Sequence, residues 1–108
     1  MKLTLPESIT LYFEAENRHA PALVPLCFVA DARVSDENTL RQGIGEIQAW
    51  MLETGKKFQH SIEPISSSAD GAAIIIRSRL TGSFPGSPVE VDFRFVLRNG
   101  KISQLDIQ

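Results

Sequence analysis

The stretch that decides the fold is VEVDFRFVL, residues 89–97, in which apolar and charged side chains alternate through residue 95. Successive side chains of a β-strand point to opposite faces, so this period of two predicts a strand with one apolar and one charged face. The apolar face carries Val91, Phe93 and Phe95, and it is too large to stay in contact with water. We therefore expect it to pack against helices from elsewhere in the chain.

Apolar residues three and four positions apart predict three helices in the first half of the chain. The first begins within residues 4–7 and fades at 17–19. The second spans residues 20–28 and is short or kinked, because Pro25 lacks the N–H for an intrahelical bond. The third spans residues 44–54, and Gly55 follows it where a helix C-terminus favours glycine.

The strands are predicted mainly in the second half of the chain. They are expected at residues 32–36, 58–67, 72–84, 87–98 and 101–108, with a loop at 37–43 and a turn at 66–71. Asn99-Gly100 is a strong signal for a tight hairpin between the last two strands. Helices separated in this way from strands predict an α+β fold, with a strongly curved, mostly antiparallel sheet wrapped on the helices.

Composition narrows the class of protein. The 108 residues suit a single domain, and 43% hydrophobic with 22% charged residues is typical of a soluble one. A net charge of −2 with scattered Lys and Arg gives no basic surface for nucleic acid. The sequence has no membrane-spanning apolar run and no signal peptide, so we expect a cytoplasmic protein. Its single Cys27 forms no intramolecular disulfide, and no spacing of ligands predicts a metal site.

Four stretches carry a resemblance to a known family. They are YFEAEN at 12–17, LVPLCFVADARV at 23–34, GIGEIQAW at 43–50, and FRF at 93–95 followed by NGKI at 99–102. In this order the chain resembles the nuclear transport factor 2-like superfamily, and within it the SnoaL-like and ketosteroid-isomerase-like proteins. The resemblance covers nearly the whole chain as one domain, residues 1–108. It implies a cone-shaped α+β barrel with a pocket at its wide end, no cofactor, and a homodimer through the outer sheet face.

The resemblance also implies roles for particular residues. Tyr12 is at the position of the tyrosine that stabilises an oxyanion in the ketosteroid isomerases, and Asp36 is at that of the carboxylate that moves the proton. Those isomerases have a protonated Asp where this chain has Val91. The pocket would be lined by a further set of side chains: Trp50, His60, Val91, Phe93 and Phe95.

Each candidate has a plainer interpretation. Asp36 is also typical of a solvated turn residue, and Tyr12 of a core aromatic whose hydroxyl finds a buried acceptor. His60 is either a proton shuttle or a hydrogen-bonded wall residue, and Trp50 either stacks on a ligand or belongs to the core. The sequence leaves three functions open. They are a cofactor-free isomerase or cyclase acting on an apolar carbonyl compound, a non-catalytic binder of an apolar ligand, and a dimeric interaction domain with a filled cone.

Overall fold

The computed structural model describes residues 4–108, in which helices pack against one face of a six-stranded sheet. The expectation about a signal peptide depends partly on residues 1–3, which lie outside the described residues. The helices are α1 (Glu7–Asn17), α2 (Val24–Cys27, preceded by a 3-10 turn at Pro21–Leu23) and α3 (Ile44–Phe58). The strands are β1 (Phe28–Asp36), β2 (Thr39–Gln42), β3 (Ser61–Asp70), β4 (Ala73–Thr81), β5 (Val89–Arg98) and β6 (Lys101–Ile107).

The strand order is β2-β1-β6-β5-β4-β3, and every pair is antiparallel except β1 with β6. The predicted α+β class and mostly antiparallel sheet are therefore confirmed. The sheet is open, with β2 and β3 at its edges, so the barrel does not close. Helix α1 contacts both β6 and β3, which two other strands separate. Neighbouring strands lie ~4.8 Å apart and a helix is ~10 Å wide, so the sheet must curve around α1 to make both contacts.

The alternation of residues 89–97 produces the expected two faces. Phe93 and Phe95 are buried in the core against α1, and their rings contact those of Tyr12 and Phe13. On the outer face Arg77 of β4 forms ion pairs with its cross-strand neighbours on β5, at 3.2 Å to Asp92 and 3.3 Å to Glu90. Because these pairs are exposed to solvent, they contribute little to the free energy of unfolding. The homodimer expected through this face stays a prediction.

Four predicted boundaries were wrong. Residues 39–42 were expected to be loop but form β2, because Glu37 and Asn38 take left-handed backbone angles that turn the chain back along β1. Helix α3 continues through Gly55 to Phe58, with Lys56 and Lys57 in its last turn, where positive charge complements the helix dipole. As a result β3 begins at Ser61 rather than residue 58. It then continues through the predicted turn at 66–71, where β4 supplies backbone partners as far as Asp70.

None of the helices in residues 4–108 combines the length and the apolar character needed to cross a bilayer.

Candidate functional site

A cavity of about 80 Å³ lies between the helices and the inner face of the sheet, and we call it the inner cavity. Its polar lining consists of Glu16, Asp36, Glu37, Thr54 and His60. Its apolar lining consists of Trp50, Phe58, Ile62, Leu80, Phe93 and Ile107. The inner cavity opens into a wider space of about 390 Å³, the mouth, to which Phe84, Val91 and Gln108 also contribute. The mouth shares five lining residues with the inner cavity, so the two form one continuous site.

Asp36 is held at the end of β1 by a hydrogen bond from α3. The indole Nε1 of Trp50 donates to Asp36 Oδ2 at 3.1 Å, and the Trp50 side chain is buried. Partial removal from water raises the pKa of the Asp36 carboxyl, although the Trp50 hydrogen bond opposes this effect. A half-buried carboxylate with raised basicity at an apolar cavity wall is suited to accept a proton from a weak acid.

Glu16 joins two predicted site residues. Tyr12 Oη donates to Glu16 Oε2 at 2.7 Å, and Glu16 Oε1 lies 3.7 Å from Nε2 of His60. The Glu16 carboxylate raises the pKa of His60, although burial opposes this effect. The net increase favours a protonated imidazole. Burial, and next the charge of Glu16, raise the pKa of the Tyr12 hydroxyl well above its usual value, so Tyr12 keeps its proton and remains a donor.

The end of α1 is fixed to the start of β3, which brings Glu16 and His60 together. The Asn17 side chain accepts from the Ile62 N–H at 2.6 Å and donates to the Ile62 carbonyl at 2.9 Å. His60 occupies the connection between α3 and β3, after Gln59 has turned the chain with left-handed backbone angles. The expected placement of His60 on a strand was therefore wrong, because α3 continues to Phe58 and β3 begins only at Ser61.

The structure brings together most of the predicted site residues. Asp36, Trp50, His60 and Phe93 line the inner cavity, and Val91 lines the mouth.

Two predicted site residues lie elsewhere. Tyr12 is 0% exposed, and its hydroxyl is bonded to Glu16 behind the cavity wall. Phe95 is buried in the core, where its ring contacts those of Tyr12 and Phe13. Both side chains are fully buried in the core, and neither lines the inner cavity or the mouth.

Sequence reasoning missed Glu16 as a site residue. It lies four residues after Tyr12, and residues with that spacing share one face of a helix. A carboxylate that continues an apolar stripe must find a buried partner, and this signal was available in the sequence. It also missed Phe58, Leu80 and Ile107, whose roles depend on how distant elements meet.

Gly82 allows the chain segment that carries His60 to pack closely against β4. A Cβ atom at position 82 would lie 2.7 Å from the Phe58 carbonyl oxygen and 3.0 Å from His60 Cα. Both are backbone atoms, so a larger residue would displace the segment.

We expect Gly82→Ala to lower the free energy of unfolding by about 1–3 kcal/mol and to shift the NMR resonances of His60. Gly45→Ala is the matched control, because a Cβ there meets nothing within 4 Å. Urea denaturation of both variants measures the difference. Equal stability of the two variants would show that the contact at Gly82 is easily relieved.

No group of three or more His, Cys, Asp or Glu side chains in the described part of the chain is arranged to hold a metal ion.

Comparison with known proteins identifies the family. No family model matches the chain, and no curated protein sequence does. Among solved structures, a proposed polyketide cyclase from Sinorhizobium meliloti is 34% identical, covers 96% of this chain and 95% of its own, and superposes with a TM-score of 0.91.

Two more distant structures share the fold. A nuclear transport factor 2-like protein of unknown function from Cytophaga hutchinsonii is 12% identical. The match covers 100% of this chain and 91% of that protein, with a TM-score of 0.77. A proposed SnoaL-like isomerase from Agrobacterium tumefaciens is 18% identical, with 93% and 92% coverage and a TM-score of 0.76. The similarity over nearly the whole length shows that the chain belongs to the same family as the proposed polyketide cyclase from Sinorhizobium, and its fold is that of the nuclear transport factor 2-like proteins.

Proposed function

We propose that this protein is a cofactor-free isomerase or cyclase that moves a proton on an apolar carbonyl compound. The observation that carries the proposal is the position of Asp36, a carboxylate of raised pKa, at a partly apolar cavity that His60 also lines. The 34% identity to a proposed polyketide cyclase supports the same class of chemistry. In both reactions a base takes a proton from the carbon next to a carbonyl group.

In the proposed reaction Asp36 accepts the proton of the carbon–hydrogen bond. The electron pair of that bond forms the carbon–carbon double bond of an enolate, and the π pair of the carbonyl moves to its oxygen. His60, protonated beside Glu16, stabilises the negative charge on that oxygen. Asp36 then returns the proton to a different carbon in an isomerase. In a cyclase the enolate carbon instead attacks a second carbonyl of the same molecule, and the new alkoxide takes up the proton.

Tyr12 has an indirect role in this proposal. The sequence predicted Tyr12 as the donor to the oxyanion, but its hydroxyl already donates to Glu16 and does not line the inner cavity. We therefore place Tyr12 as a positioning residue that holds Glu16, and His60 as the donor.

The size of the site indicates how a substrate would lie. About 80 Å³ holds one functional group, whereas pockets for complete small molecules measure ~300–1,000 Å³. The reacting carbonyl would therefore enter the inner cavity while the apolar body stays in the mouth of about 390 Å³. There it would contact Phe84 and Val91.

Deuterium exchange tests the proposal without knowledge of the natural substrate. Small cyclic ketones and β-keto esters are incubated with the protein in D2O, and NMR follows the loss of signal from the protons next to the carbonyl. We expect exchange above the buffer background for compounds whose apolar body fits the mouth. Exchange at the background rate for the whole set would contradict the proposed reaction.

The exchange rate should depend on pH as a bell-shaped curve. Activity requires ionised Asp36, so the rate rises through its pKa, which lies above the ordinary value of 3.8. Activity also requires protonated His60, so the rate falls through its pKa, which lies above 6.5. Rates measured between about pH 4 and 10 locate both limbs. His60→Gln should remove the high-pH limb, and a descending limb that persists in this variant would exclude His60 as the donor.

The second candidate is a non-catalytic binder of an apolar ligand, which the apolar walls of the mouth favour. Phe58, Leu80, Phe84, Val91 and Ile107 all contribute to them. A binder predicts that Asp36→Asn leaves ligand affinity nearly unchanged and that the unmodified protein exchanges no carbon-bound protons. The open space in the site is less compatible with the third alternative, an interaction domain with a filled cone.

A further inference from the structure

The inner cavity contains an acidic oxygen without a partner. Glu16 is 3% exposed, and while its Oε2 accepts the Tyr12 hydroxyl, its Oε1 has no hydrogen bond. Glu16 Oε1 lies 3.7 Å from His60 Nε2. At this distance a protonated His60 attracts the carboxylate, but the two atoms are too far apart for a hydrogen bond. A buried carboxylate oxygen without a donor is destabilising, so a ligand that supplies a donor would be favoured there.

The charge of the surrounding surface is also negative. Asp36 and Glu37 line the same cavity as Glu16, and among residues 4–108 no Lys or Arg side chain lines either the inner cavity or the mouth. His60 is the one described lining residue that can carry a positive charge. Even when it does, the three carboxylates exceed it, so the lining disfavours an anionic ligand and favours a cation.

The shape and the walls indicate what kind of cation fits. The carboxyl groups are not arranged as a three-ligand metal site. Apart from Thr54 and His60, the remaining walls are apolar or aromatic, with the rings of Trp50 and Phe93 on the inner cavity. Alkyl groups attached to a positive nitrogen pack well against such rings, and the charge is attracted to their faces. This combination suits an organic cation better than a hydrated inorganic one.

We propose that the inner cavity binds a small alkylammonium ion, whose N–H groups donate to Glu16 Oε1 and to the Asp36 carboxylate. The alkyl part contacts Trp50 and Phe93 and extends toward the mouth. Binding of this kind needs no catalysis, so it stands whether or not the protein is an enzyme. In an enzyme the ion would occupy the place of the reacting carbonyl and compete with it.

Isothermal titration calorimetry with propylammonium chloride at neutral pH and low salt tests the proposal. Propanol and propionate are the matched neutral and anionic probes, and sodium chloride controls for ionic strength. We expect propylammonium to bind at least about tenfold more tightly than propanol, since a charge-assisted hydrogen bond is about twice as strong as a neutral one, and propionate not to bind. Equal affinity for propylammonium and propanol, or measurable binding of propionate, would overturn the proposal.

Variants connect binding to the two carboxylates. Glu16→Gln keeps an acceptor for Tyr12 but loses the charge, and it should weaken propylammonium binding about tenfold or more, as should Asp36→Asn. Glu63→Gln is the control, because Glu63 lies on the outer surface with a side chain 72% exposed. Circular dichroism shows whether Glu16→Gln folds. If it does not fold, the test is the comparison of propylammonium affinity between Asp36→Asn and Glu63→Gln. An unchanged affinity of Asp36→Asn for propylammonium would contradict the ammonium site. The proposed proton transfer would not be affected, because deuterium exchange tests it separately.

Discussion

Replacing Asp36 with Asn should lower the rate of deuterium exchange by about 10²- to 10⁴-fold, the range over which a positioned general base contributes. An amide cannot accept the proton, yet its oxygen can still accept the hydrogen bond from Trp50 Nε1 that fixes this side chain. The geometry of the cavity should therefore survive while the chemistry is lost. NMR exchange rates for the variant and the unmodified protein, at the pH of maximum rate, give the ratio.

The matched control is Asp70→Asn at the far end of β3. Asp70 has a side chain 65% exposed and forms an ion pair with Arg94 on the outer face, so its replacement should leave the exchange rate within about twofold of the original. An equal loss in both variants would mean that the effect is one of net charge or stability. Exchange that persists in Asp36→Asn at the original rate would move the base to another residue of the cavity.

The same substitution should make the protein more stable at neutral pH. The pKa of Asp36 is raised in the folded state, so ionised Asp36 costs stability above that raised pKa. As pH falls to the ordinary value of 3.8 and below, the carboxyl is protonated in both states and the cost disappears. Melting temperatures at pH 7 and near pH 3.5 should thus show an advantage for Asp36→Asn at the higher pH alone. Such a balance is common where a residue serves activity rather than stability.

The fold was predictable because its main signal is local. The alternation in residues 89–97 required one apolar sheet face, and Asn99-Gly100 fixed the hairpin that follows. Strand β2 was missed because its four residues, TLRQ, carry no alternation and only pairing with β1 makes them a strand. The end of α3 was missed because Gly55 is a good stop signal, whereas in the structure it lets α3 pass close to His19.

The candidate site was less predictable because it depends on contacts between distant elements. The family resemblance indicated Asp36 and Tyr12 as site residues. In the structure Asp36 lines the inner cavity, and Tyr12 is joined to it through a hydrogen bond to Glu16. It could not indicate that Glu16 stands between Tyr12 and the cavity, because that depends on how deeply α1 is embedded in the curved sheet. His60 reaches Glu16 through the packing of α1 against β3, which Asn17 secures over 45 residues of sequence separation.

Replacing Phe95 with Ala should have the largest effect on stability, a loss of about 3–5 kcal/mol in the free energy of unfolding. The Phe95 ring is 0% exposed and lies 5.6 Å from the ring of Tyr12 and 5.8 Å from that of Phe13, measured between centroids. Its removal leaves a void where α1 meets the sheet, which the rigid neighbouring rings cannot fill. The total free energy of unfolding of a small domain is only ~5–15 kcal/mol, so this substitution would remove a large fraction of it.

The control for Phe95→Ala is Phe84→Ala at the mouth. Phe84 is half-buried and makes one described ring contact, to Phe58 at 5.9 Å, so its loss should cost about 1 kcal/mol while weakening the binding of apolar ligands. Urea denaturation of both variants gives the comparison. If Phe95→Ala does not fold, Phe95→Leu, with an expected loss of about 1.5 kcal/mol, takes its place. A cost for Phe95→Ala no greater than that for Phe84→Ala would mean that the core around α1 can collapse onto the void. The apolar face of β5 would then no longer be the main source of stability for the helices that frame the cavity.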